Sequence, residues 1–139
     1  MKSNELRIGN MVMISEVKCK VIGIEGCKNI KNGFSVFDTV RLSGDGINSQ
    51  QQIYCQGVSP IALTEEILLK CGFNKIYVTD PQLENSQSKW YIDDLEIFKF
   101  EDNHEYLFFS FGQDFKIIYL HQLQNLYFEL TGKELEIKL

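Results

Sequence analysis

Tyr119-Leu-His-Gln-Leu-Gln-Asn-Leu-Tyr-Phe-Glu-Leu-Thr-Gly132, followed by Lys133-Glu-Leu-Glu-Ile-Lys-Leu139, is the stretch whose reading decides the fold. At about 100° per residue, Leu120, Leu123, Leu126, Tyr127 and Leu130 form one apolar stripe, the face expected to meet a sheet. His121, Gln122, Asn125 and Glu129 fall opposite it. Phe128 lies beside His121, Gln124 and Asn125, off the stripe, and is the one large side chain the stripe does not explain. Gly132 supplies a left-handed stop. The spacing predicts a helix over 120–131, and the alternation of Glu134, Glu136 and Lys138 with Leu135, Ile137 and Leu139 predicts a closing strand over 134–138.

Upstream, Pro60-Ile-Ala-Leu-Thr-Glu-Glu-Ile-Leu-Leu-Lys-Cys-Gly72 carries start and stop signals for a helix over 64–71. The Thr64 hydroxyl can accept from a first-turn amide, Glu65 and Glu66 suit the positive end of the dipole, and Gly72 ends it. Between the helices, residues 73–119 read as an antiparallel meander with hairpin turns near Asp102-Asn103 and Gly112-Gln-Asp114. In Glu105–Phe111 both faces are apolar, a pattern of a strand covered on both sides. Residues 6–58 read as short β-strands with Gly-rich turns and no helix, favouring a small β-barrel-like module. The fold class is therefore α+β: an N-terminal module (1–58), then a module of residues 59–139 in which a short helix, an antiparallel sheet and a C-terminal helix end in the closing strand.

The chain of 139 residues is 44% hydrophobic with a net charge of −5, enough apolar material for a real core. No apolar run approaches the roughly 18 residues that span a bilayer, and Met1–Arg7 lacks an apolar leader segment, so a cytoplasmic protein without membrane contact is expected. Cys19, Cys27, Cys55 and Cys71 form no Cys-x-x-Cys pair and have no neighbouring histidine, which points to buried thiols rather than zinc. Residues 1–58 carry seven Lys/Arg against five Asp/Glu, whereas 59–139 carry seven against fourteen. The acidic second half repels phosphate backbones. A nucleic-acid surface, if present, lies in the first half and uses Lys18, Lys20, Lys28, Lys31 and Arg41 with aromatics such as Phe34, Phe37 and Tyr54.

Reaction chemistry is hard to find. There is no Gly-rich phosphate loop, no G-x-S-x-G and no H-E-x-x-H. Asp93 and Asp94 are adjacent, so on a strand they face opposite ways and make a poor acid–base pair. Of two histidines, His104 sits in an acidic turn. His121 shares a helical row with Gln124, Asn125 and Phe128, a polar–aromatic set able to hydrogen-bond a ligand or partner. No cofactor or metal is expected.

Three stretches carry a resemblance: Glu5-Leu-Arg-Ile-Gly-Asn10, Pro60–Phe73, and His121–Gly132 with the segment after it. They resemble a family of small uncharacterised proteins of Bacteroidetes genomes, prophages and mobile elements. The resemblance covers about a third of the chain. It implies a cytoplasmic protein of phage or mobile-element type and supplies no activity and no catalytic residues. The expectation is a non-enzymatic binding protein, an anti-defence protein that sequesters a host protein or a nucleotide signal; self-association is compatible with the aromatic strands. The alternatives are a nucleic-acid-binding accessory protein acting through the N-terminal module, and a small hydrolase using His104 or His121.

Overall fold

The computed structural model describes residues 5–25, 39–78, 87–100, 105–110 and 112–138, and structural statements below refer to these. The chain divides into two compact units, Met1–Ile61 and Ala62–Leu139.

The first unit is a four-stranded antiparallel sheet, β1 (Met11–Ile14), β2 (Val17–Glu25), β3 (Thr39–Ser43) and β4 (Gln52–Tyr54), paired in chain order. Its core is Leu6, Val12, Cys19, Val21, Val40, Leu42, Cys55 and Val58. Glu5–Asn10, read in part as a strand, contains a turn instead. Asn10 Oδ1 accepts from the Arg7 amide at 2.7 Å, and the Asn10 amide donates to Arg7 O at 3.1 Å. Gly9, at φ +99°, donates to Val21 O at 2.8 Å, which fastens the turn to β2. Ile22 is an extra residue between the Val21–Leu42 and Gly23–Arg41 pairs. This bulge flips the alternation, so Gly23 lies on the outward side, where a Cβ would meet the Arg41 guanidinium at 2.9 Å.

The expected small barrel is not found as a closed ladder among the described residues. β4 is three residues long, too short for a second partner, and the chain leaves it through a 3-10 turn at Cys55–Gly57. Ser59 then bonds Met13 through both backbone groups, at 2.9 and 2.8 Å, on the opposite edge of the sheet. Five residues span at most about 17 Å, whereas crossing four flat strand spacings needs about 19 Å. The sheet must therefore curl, but only one bridge joins its edges.

The second unit is a five-stranded meander, β5 (Asn74–Val78), β6 (Gln87–Ile92), β7 (Leu95–Phe100), β8 (Tyr106–Ser110) and β9 (Gln113–Ile117), with α1 (Glu65–Lys70) before it and α2 (Leu120–Thr131) after it. Thr64 Oγ1 caps α1 by accepting from Ile67 N at 3.3 Å. The far end closes through Gly72, φ +87°, with bonds from Gly72 N to Leu69 O and Phe73 N to Leu68 O. Those two bonds define a Schellman stop. Gln122 caps α2, its Oε1 accepting from the amides of Ile118 (2.8 Å) and Tyr119 (3.1 Å). Thr131 Oγ1 bonds Tyr127 O, and Gly132 at φ +69° ends the helix. The register places Lys75, Ser88, Trp90, Leu95, Ile97, Lys99, Tyr106 and Ile117 on one sheet face. Trp90, Leu95, Ile97, Tyr106 and Ile117 on it are buried, as are Leu68, Leu120 and Leu123 of the helices. Each such aliphatic side chain contributes about 1.5–3 kcal/mol on burial.

Three expectations need correction. Residues 134–138 form no strand: Leu135 is buried, and Lys138 N bonds Lys70 O, at the end of α1 rather than along a sheet edge. Strand β8 is not covered throughout on both sides, since Leu107 is buried but Phe109 is 50% exposed. Asp93 and Asp94 form the β6–β7 turn rather than strand, with Asp93 at φ +47°.

The β1–β2 turn holds Ser15 at φ +45° and Glu16 at φ +70°. Both angles suit Asn-Gly better than Ser-Glu. The Ser15→Asn/Glu16→Gly double substitution should stabilise the protein by about 0.5–1 kcal/mol in urea unfolding. Gly44→Ala should do the opposite by about 1–3 kcal/mol, because its Cβ would lie 2.9 Å from Lys18 O.

Candidate functional site: a lysine-lined cleft

The members of the α2 row differ in exposure. His121 is 3% exposed and Gln124 2%, while Asn125 and Phe128 are half-buried and Leu130 is 52% exposed. The helix is thus turned relative to its apolar stripe, towards His121 and Gln124 and away from Leu130. The His121 ring stacks on Tyr119, centroids 5.8 Å apart. Tyr127 also serves structure: its hydroxyl donates to Asp93 Oδ2 at 2.6 Å, tying α2 to the β6–β7 turn. That bond raises the Tyr127 pKa, with burial adding to it. His104 lies outside the described residues.

The side chains that do converge are ones the sequence reading left aside. Glu65, first residue of α1, sits over the buried face of the sheet. Its Oε2 accepts from Lys75 Nζ of β5 at 2.9 Å and its Oε1 from Lys99 Nζ of β7 at 3.4 Å. Strand β6 runs between them and contributes Gln87 and Ser88. With Tyr77 these residues line a cleft of about 240 Å³. Lys75 Nζ also lies 4.8 Å from the Tyr77 ring centroid and 5.1 Å from that of Trp90, and Lys99 Nζ lies 5.6 Å from that of Tyr106. These contacts hold the two ammonium groups over aromatic faces.

The electrostatics follow from this geometry. The Lys75 hydrogen bond holds the Glu65 carboxyl below its usual 4.5 despite partial burial, and Lys99 assists. The same bond raises Lys75. Burial, with the Glu65 charge adding, pushes the Tyr106 hydroxyl up to about 12. The Tyr106 hydroxyl and the Trp90 indole N–H are buried with no hydrogen-bond partner among the described protein groups. A site with two fixed cations, one carboxylate and neutral hydroxyl and amide groups is chemically suited to holding an anion.

A sequence signal existed for this cleft. Lys75 and Lys99 occupy inward positions of strands whose neighbours on that face, Phe73 and Ile97, are buried. A charge at an inward strand position requires a partner, but the partner stood 34 residues from Lys99, on another element.

Elsewhere, Lys18, Lys20 and Arg41 share the outward face of the first sheet, with Arg41 Nε 3.5 Å from Glu25. Lys28, Lys31, Phe34 and Phe37 lie outside the described residues. A larger hollow of about 690 Å³ is drawn by the ends of the two helices and the carboxy-terminal segment, with Tyr127 and Lys138 on its wall. Cys19, Cys55 and Cys71 are buried, and burial raises the Cys71 thiol to about 11. Among the described residues no three His, Cys, Asp or Glu side chains gather as metal ligands, and no helix is long and apolar enough to cross a membrane. Comparisons with protein-family models, curated proteins and solved structures find no match to this chain.

Glu65 binds its proton less readily folded than unfolded, so its contribution to stability is present above its ordinary pKa and fades as pH falls through the lowered one. Wild type should be more stable than Glu65→Gln by about 1 kcal/mol or less at neutral pH, since the carboxylate is partly exposed. In urea titrations at a series of pH values, the gap should close between roughly pH 5 and pH 3.

Proposed function

We propose that this is a non-enzymatic binding protein that sequesters a small phosphorylated ligand, of the nucleotide-signal kind, at the Lys75–Lys99 cleft. The observation that carries the reading is the convergence of two ammonium groups, from strands on either side of β6, on the two oxygens of one carboxylate at 2.9 and 3.4 Å. Lysine binds phosphate as a point charge. Pockets that enclose a whole small molecule run to about 300–1,000 Å³; this cleft of about 240 Å³ takes the phosphate group. The base then extends over Tyr77, 70% exposed at the rim, where stacking is worth about 1–3 kcal/mol. The phage or mobile-element setting, an anti-defence role and a cytoplasmic location rest on the resemblance of the three sequence stretches. A host protein as the sequestered partner is supported less directly, by the exposed Ile76 and Phe109 of the second sheet.

The nucleic-acid reading keeps one specific support: Lys18, Lys20 and Arg41 lie on the same outward face of the first antiparallel sheet. Arg41 is already paired with Glu25, which weakens it. The hydrolase reading needs a histidine on a cleft, and His121 lines neither hollow described above.

Calorimetric titration with ADP and with pyrophosphate tests the proposal. Both should bind with 1:1 stoichiometry, and binding should weaken at least tenfold in Lys75→Gln and in Lys99→Gln. Tyr77→Ala should weaken ADP while leaving pyrophosphate unchanged. Absence of heat with both ligands, in protein shown to be folded, sinks the reading. Salt-sensitive retention of single-stranded DNA that is lost in Lys18→Ala/Lys20→Ala would favour the nucleic-acid reading instead.

A further inference from the structure

Glu65 occupies the position that the ligand's anion would take. One carboxylate oxygen faces each ammonium group, at 2.9 and 3.4 Å, an arrangement a phosphate could reproduce with two of its own oxygens. The three members of this triad are not equally placed. The Glu65 side chain is 42% exposed, against 21% for Lys75 and 25% for Lys99, so the carboxylate forms the cover and the lysines form the wall.

The wall has contacts of its own besides the cover: Lys75 lies over the rings of Tyr77 and Trp90, and Lys99 over that of Tyr106. Helix α1 does not depend on Glu65 for its start, because Thr64 Oγ1 supplies the cap and Glu66, paired with Lys70 at 2.7 Å, supplies a second first-turn carboxylate. Only the Glu65 side chain need turn out towards water.

We infer that Glu65 is a built-in competitor, an internal anion that closes the Lys75–Lys99 site and must be displaced by the phosphate of an incoming ligand. This rests on the proposed function and specifies its regulation. Binding exchanges one carboxylate for one phosphate on the same two cations, so affinity is lowered by the strength of the internal pairs, and a singly charged anion gains little over Glu65 itself. The site discriminates by charge: a di- or triphosphate outcompetes the carboxylate, whereas acetate does not.

Removing the competitor should therefore tighten binding even though it weakens the fold. Titration of pyrophosphate and ADP into wild type and Glu65→Gln, with folding of both checked by circular dichroism, should show binding at least fivefold tighter in Glu65→Gln. Glu66→Gln, the control on the neighbouring residue, should leave affinity unchanged within twofold. Acetate should fail to displace pyrophosphate from either protein. Binding by wild type that is unchanged or weaker in Glu65→Gln overturns the displacement and leaves the site standing. Equal tightening in Glu66→Gln also overturns it, because a general loss of negative charge would then be the cause. No binding by either protein overturns the site and the displacement together.

Discussion

A helix of six residues has no stability of its own. In water, isolated helices shorter than about 12–15 residues are marginal, so α1 exists only because the inward face of the five-stranded sheet requires a cover. Most of that face is apolar and would otherwise stand open to solvent, but two lysines are set into it. The cover must therefore bury Leu68 and Ile67 while offering an anion to Lys75 and Lys99. Helix α1 meets both demands, burying Ile67 and Leu68 and placing Glu65 in its first turn. The cleft and the helix are consequences of the same requirement.

The second helix solves a related problem differently. α2 is long enough to carry an apolar stripe, but it settles with His121 and Gln124 buried and Leu130 left outside. Contacts at its ends and a bond to a neighbouring turn help to hold it there. Gln122 holds the entry, Thr131 and Gly132 hold the exit, and Tyr127 bonds the turn aspartate of the neighbouring hairpin. Several residues that make this stretch distinctive as sequence thus have structural duties.

The candidate site joins residues that are far apart in the sequence. Glu65 fitted a helix dipole, and Lys75 and Lys99 were strand residues in two different hairpins. None has a neighbour in sequence that hints at an anion site. The row His121, Gln124, Asn125 and Phe128 can be read from the sequence because helical periodicity is local. Contacts between elements cannot be obtained that way, because they depend on how strands stack beside one another and which face a helix presents. The lysines gave the one available hint, as charges at inward strand positions.

By itself the sequence determined the elements and where most of them stop. Helix α2 over 120–131, the capped α1 bounded by Thr64 and Gly72, and an antiparallel meander between them follow from local periodicity and from side chains that bond their own backbone. These are short-range interactions, fully written in neighbouring residues. Tertiary structure alone decided the rest: that β4 is too short for its sheet to close by a ladder, that residues 134–138 lie against the end of α1 instead of joining a sheet, and that Glu65 reaches two lysines on separate strands. Each depends on distances between segments far apart in the chain, where chain geometry, burial and charge pairing act together.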